Sequence, residues 1–141
     1  MSTNDDLSLE ELVARGVRQI AITWDNHAGE SLVKVVPLRR WQNAIVVGVG
    51  FSPISDAFRS DGIIDPAHRL TRPDGDLRLK ADPSSLAMLD PDQGWAWAAG
   101  ERWNRNSCDA YEADQRHFCR RMGETLCRAG LSFTAGFELE W

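Results

Sequence analysis

Cysteine is scarce in this chain of 141 residues: Cys108, Cys119 and Cys127 are the three. An odd number without Cys-x-x-Cys spacing supports neither a disulfide framework nor a zinc finger, and reduced thiols in a cytoplasmic protein are expected. Histidine is equally sparse. His27, His68 and His117 stand far apart, and none has a second His or Cys at metal-ligand spacing. Long apolar runs are missing as well. No run approaches the roughly 20 residues that span a bilayer, and the polar, acidic start does not resemble a signal peptide. Positive charge is in deficit: 16 Lys+Arg face 21 Asp+Glu, for a net charge of −5. That balance argues against a nucleic-acid-coating protein. No Ser-His-Asp arrangement is recognisable, and no glycine-rich loop is followed by Lys-Ser/Thr. Gly48-Val49-Gly50 lacks the third glycine and the following helix of a dinucleotide fingerprint.

What is present is a soluble globular composition, with 43% hydrophobic and 26% charged residues. Residues 7–16 read as a short helix: Ser8 and Glu11 form a capping box, Leu9, Leu12 and Val13 an apolar stripe, and Gly16 a C-terminal cap. In residues 17–25, Ile20, Ile22 and Trp24 alternate with smaller or polar residues, as in a half-buried strand. The turn Asn26-His27-Ala28-Gly29 and the β-branched run 31–36 complete a hairpin. Residues 45–49 (Ile-Val-Val-Gly-Val) read as a third strand. Residues 50–76 form a loop rich in Gly, Pro and Asp, longer than a mere connection. Strand-like pieces recur at 76–81, 86–89 and 95–99, separated by turns at Asp82-Pro83 and Asp90-Pro91.

The last third changes period. Phe118, Met122, Leu126 and Ala129 recur at helical spacing within residues 111–129, with Gly130 as the cap. Residues 131–141 then alternate strictly: Leu131, Phe133, Ala135, Phe137, Leu139 and Trp141 share one face, opposite Ser132, Thr134, Gly136, Glu138 and Glu140. In a strand, Glu138 and Glu140 project together about 6.6–6.8 Å apart. Two like charges at that spacing repel unless a cation lies beside them, and hard divalent ions take such oxygen ligands. A solvated outer face is the bland alternative. The apolar opposite face and the preceding helix suit an inner strand, which strengthens the metal reading. Of the six tryptophans, Trp95 and Trp97 share one strand face; without a basic stripe beside them, core or subunit-interface packing is expected.

The order of these pieces resembles the start of a glutamine synthetase family protein. The helix, the strand ending in Trp24-Asp25, then Gly29 and the Lys34-to-Pro37 strand resemble that family's N-terminal β-grasp domain. Gly50-Phe51-Ser52-Pro53 is similar to its Gly-Ser loop. Residues 75–98, with Gly94-Trp95-Ala96-Trp97-Ala98, resemble the handover to the catalytic domain. Asp114-Gln115-Arg116 stands where the family usually has Asp-Pro-Arg. Gly136-Phe137-Glu138-Leu139-Glu140-Trp141 resembles its Gly-x-Glu-x-Glu-aromatic strand. The long loop and the Gly-Trp-Ala-Trp piece are closer to the divergent branch, which includes γ-glutamyl-amine ligases.

The resemblance implies an α+β fold: a β-grasp-like domain over 1–110, followed over 111–141 by the first helix and strand of a catalytic domain. It implies a glutamate–ammonia or glutamate–amine ligase that uses ATP and Mg²⁺ (or Mn²⁺) through a γ-glutamyl phosphate, assembled as a ring-type homo-oligomer in the cytoplasm. By position Glu138 and Glu140 would be metal ligands. Asp25 would serve the ammonium or amine site of a neighbouring subunit, unless it merely opens the hairpin turn. The remaining ligands and ATP-binding residues would lie beyond residue 141, so the chain alone is expected to be truncated, inactive and without tightly bound cofactor. Its last residues would lack most of their core. The rival from another class is a free-standing β-grasp interaction module with Glu138 and Glu140 solvated.

Overall fold

Strand β6 (Trp95–Asn104) is the axis of a six-stranded mixed sheet, and its sequence explains why. Ala96, Ala98 and Gly100 alternate along it, all buried, so neighbouring layers approach one face closely. On one edge it pairs in parallel with β1 (Gln19–Asp25), which continues antiparallel into β2 (Ser31–Pro37). On the other edge it pairs antiparallel with β4 (Leu77–Ala81) and then β5 (Ala87–Asp90). β3 (Val49–Phe51) closes the outer edge of β4. The computed structural model describes residues 9–59, 61–64, 66, 76–90, 92–106 and 108–140. Ser8 of the expected capping box, the stretch 67–75 with Gly75 of the handover motif, Pro91 and Trp141 lie outside the described residues.

Three helices accompany the sheet: α1 (Leu9–Ala14), α2 (Trp41–Val46) and α3 (Gln115–Arg128). The core gathers Leu12 of α1, Ile20, Ile22 and Trp24 of β1, Trp41 and Ala44 of α2, and Leu77 and Leu79 of β4. Trp24 and Phe51 meet with ring centroids 4.9 Å apart. Each such aliphatic or aromatic side chain withdrawn from water contributes about 1.5–3 kcal/mol. The opposite face of the sheet is less covered. Trp95 and Trp97 are half-buried there, Val33 and Val35 are exposed, and the Trp97 indole N–H donates to Thr23 Oγ1 at 2.9 Å.

The expected α+β architecture holds, as do the hairpin, the strands of the middle third and the long helix. Gly16 and Gly130 follow α1 and α3 with positive φ. Two elements differ from the sequence reading. Residues 45–49 are not one strand: Trp41, Ala44 and Ile45 recur at helical spacing and turn inward as α2, and the strand begins only at Val49. Between them Gly48 takes φ +81°, and a Cβ there would stand 2.9 Å from the Leu79 carbonyl oxygen. The β-branched run thus hides a helix end, a tight turn and a strand start.

The second difference is the tail. Residues 131–140 form no helix or strand, and every one of them is exposed, Phe137 completely. Alternation predicts which face a strand would bury, but a strand also needs hydrogen-bonding neighbours. Among the described residues no strand pairs with this segment. The apolar positions of α3 share that fate, since Phe118 and Met122 are exposed although the N-terminal turn of the helix is well packed.

Candidate functional site

Asp25 closes β1 at the lip of a small cleft of about 150 Å³ that Thr23, Trp24, Trp97, Gly100, Gln115 and Arg116 help to line. The hairpin turn beside it is built by its neighbour. Asn26 is buried, its Oδ1 accepts from the amides of Ala28 (3.0 Å) and Glu30 (2.9 Å), and its Nδ2 donates to Glu30 Oε2 at 2.8 Å. Asn and Asp side chains stabilise turns by such bonds to nearby backbone. Asp25 stands outside these turn bonds, at the strand end paired with Ser31. Its Oδ1 accepts from Ser31 Oγ at 2.6 Å, and its other oxygen has no partner among the described residues. The carboxylate is exposed, oriented by one hydroxyl, and free to take a cation or a proton.

Behind the cleft lies Arg102, fully buried on β6. Its guanidinium has five N–H donors, and all are used. Nη1 donates to both oxygens of Asp56 at 2.7 Å, and Nε to Asp114 Oδ2 at 2.9 Å. Nη2 donates to the Ala113 carbonyl at 2.8 Å and to Gln115 Oε1 at 2.7 Å. Gln115 then passes its own Nε2 to the Asn26 carbonyl at 3.2 Å. One cation thus ties the 3₁₀ turn Pro53–Ala57, the start of α3 and the turn next to Asp25 into a single unit. Asp114 is also the N-cap of α3, accepting from the His117 amide at 2.9 Å.

The Asp-Gln-Arg sequence at the head of α3 gains a structural meaning here. Proline suits the first helical position because its missing N–H has no partner to lose. Gln115 occupies that position and instead spends both ends of its amide, one on Arg102 and one on Asn26. Arg116 and Arg120 anchor the same helix to the sheet. Arg116 donates to Asp82 Oδ2 at 2.6 Å, and Arg120 to Glu101 Oε1, a bond that raises the Arg120 pKa above its ordinary value.

Glu138 and Glu140 lie on the exposed, unpaired tail. Among the described residues no three His, Cys, Asp or Glu side chains come together in a way that could hold a metal ion. Mg²⁺ keeps near-octahedral oxygen coordination, and two solvated carboxylates on a segment without secondary structure do not fix one. The described residues do not by themselves fit the ion. The three cysteines are free and exposed. No described helix is long and apolar enough to cross a membrane.

Sequence reasoning missed Arg102 and Asp56. A signal for Arg102 existed: Ala96, Ala98 and Gly100 are on the inward face, and continuing the period of two by one step places Arg102 in the core. A buried guanidinium demands carboxylates, and Asp114 at a helix start was an obvious candidate. Asp56 could not be chosen among the many aspartates of its loop without the tertiary structure.

No protein-family model matches the chain. A γ-glutamylpolyamine synthetase of Streptomyces coelicolor is 35% identical over 131 residues, which are 93% of this chain and 28% of that protein. A crystal structure of a novel glutamine synthase homolog superposes with a TM-score of 0.69 at 22% identity, over 80% of this chain and 27% of the other. The ADP complex of GmaS superposes with a TM-score of 0.69 at 18% identity, over 89% of this chain and 26% of the other. The resemblance to glutamine synthetase-type proteins therefore holds in sequence and in fold, and the chain spans about a quarter of the relatives it matches.

Proposed function

We propose that this chain is the N-terminal part of an ATP-dependent γ-glutamyl–amine ligase of glutamine synthetase type. The observation that carries this reading is the 35% identity over 93% of the chain to a γ-glutamylpolyamine synthetase, alongside a fold shared with a glutamine synthase homolog. Residues 1–110 would form the N-terminal domain, and 111–141 the start of a catalytic domain. Such a ligase activates the glutamate γ-carboxyl as an acyl phosphate, with ADP as the leaving group, and lets an amine attack the carbonyl carbon and displace phosphate. The ADP-bound state of GmaS supports nucleotide use by this fold class. Divalent metal ions, once the whole site is assembled, would supply the charge that phosphoryl transfer needs.

The residues of this chain have two roles in that reading. Asp25 presents a carboxylate to the incoming amine: it attracts the ammonium form and accepts the proton that must leave before nitrogen attacks. A carboxylate anchored at one oxygen and open at the other suits both tasks. Glu138 and Glu140 would be ligands contributed to a metal site whose remaining donors come from elsewhere in the whole enzyme. In this fold the exposed apolar sheet face with Val33, Val35, Trp95 and Trp97 is the surface we assign to subunit contact in a homo-oligomer.

An amine larger than ammonia is the preferred acceptor, given the named activity of the 35%-identical relative. The test is a γ-glutamyl transfer assay with Mg-ATP and glutamate, run with ammonia, methylamine and spermidine. The whole protein is expected to release phosphate with at least one of them, whereas this chain alone is expected to give no turnover. Turnover by the chain alone, or none by the whole protein with any amine, would refute the reading.

A further inference from the structure

A second cleft, sharing no residue with the one at Asp25, opens between the end of α2 and the β4–β6 pair, with a volume of about 360 Å³. Its walls are apolar where Val46, Val47 and Trp103 stand, and cationic where Arg78, Lys80 and Arg105 stand. Among the described residues no acid lines it, although acidic residues outnumber basic ones in the chain by 21 to 16. An adjoining cleft of about 370 Å³ shares Val47 and Arg78, adds Arg40, and again contains no carboxylate.

The cations are not consumed by the fold. Arg78, Lys80 and Arg105 make no ion pair with any described residue, in contrast to Arg102, Arg116 and Arg120, which are all engaged. Lys80 Nζ instead sits 4.7 Å from the centre of the Trp103 ring. The Arg78 guanidinium lies across Gly50, where a Cβ would stand 3.0 Å from Nη1 and 4.0 Å from Asp76 Oδ2, a carboxylate outside the cleft lining. Arg105 is held at the rim by a tight loop. Its closing bonds are Asn104 N–H to the Asp109 carbonyl at 2.8 Å and Cys108 N–H to the Asn104 carbonyl at 3.1 Å. Cys108, also lining the cleft, takes the left-handed φ of +57° to make that turn. Three like charges around one concavity repel each other, and an anion seated among them relieves that repulsion.

We propose that this cleft binds a small organic anion: a phosphate group met by Arg78, Lys80 and Arg105, carried on an apolar body that rests against Val46 and Val47 beside the Lys80–Trp103 pair. The volume is that of a small-molecule site. The amine and glutamate chemistry proposed for Asp25 plays no part in this assignment.

Phenyl phosphate, inorganic phosphate and benzyl alcohol, titrated separately into the purified chain at low salt, test it. Amide and indole NMR signals report binding, and so does the alkylation rate of Cys108 in a Cys119→Ser/Cys127→Ser background. Phenyl phosphate is expected to shift Val46, Val47 and the Trp103 indole saturably and to slow Cys108 alkylation. Each half-molecule is expected to bind about tenfold more weakly or worse. Added salt should weaken phenyl phosphate binding, since exposed charges are screened. Lys80→Gln/Arg105→Ala should lose about tenfold in affinity while keeping the parent's unfolding midpoint. Absence of saturable shifts at these residues overturns the proposal. So does a folded double variant that titrates like the parent, or inorganic phosphate that binds as tightly as phenyl phosphate.

Discussion

Arg102 and Asp56 are 46 positions apart in sequence, yet one guanidinium nitrogen donates to both oxygens of that carboxylate at 2.7 Å with both side chains out of water. With Asp114 on its other side, Arg102 pairs with two buried carboxylates and joins loop, helix cap and hairpin turn. The cleft at Asp25 owes its back wall to this arrangement.

Arg102→Met should destabilise the chain by about 3–5 kcal/mol, because it strands two buried carboxylates. Urea unfolding followed by tryptophan fluorescence measures this. Arg102→Lys keeps the charge but cannot reach five acceptors, and it is expected to fall between the parent and Met.

Asn26→Ala removes three side-chain hydrogen bonds that hold the 26–30 turn, at a cost of about 1–3 kcal/mol. Amide exchange at Ala28 and Glu30 should speed up markedly, while exchange in the β6 core follows only the global loss of stability.

Asp25→Asn preserves an acceptor for Ser31 and should leave stability within about 0.5 kcal/mol of the parent. In the whole ligase the same change is expected to raise the amine KM and lower turnover, with little effect on the glutamate KM. An unchanged amine KM would remove Asp25 from the amine site.

Gly48→Ala forces a side chain into a left-handed turn and against the Leu79 carbonyl. The expected cost is about 1–3 kcal/mol, read as a lower thermal midpoint.

Mn²⁺ titrated into the chain should broaden the Glu138 and Glu140 signals only weakly and without saturation in the micromolar range. Glu138→Gln/Glu140→Gln should then leave the thermal midpoint unchanged with or without the ion. Tight, saturable binding would show that the two glutamates form a site unaided.

The sequence by itself determined the elements whose signals are local. The alternation of Ile20, Ile22 and Trp24, the turn at 26–29, the turn at Asp82-Pro83 and the spacing of Phe118, Met122 and Leu126 all act over a few residues, so composition and period suffice to reveal them. It also carried enough motif order to disclose the glutamine synthetase-like likeness. The tertiary structure alone decided what depends on distant partners. It showed that Trp41 and Ala44 turn a β-branched stretch into a helix against β4. It showed that the Asn26 side chain holds the turn from inside, and that Asp56 is the aspartate that answers Arg102. The tail makes the same point from the other side: residues 131–140 have a strand's alternation but no strand's neighbours, and a β-strand is a relation between segments that no single segment can supply.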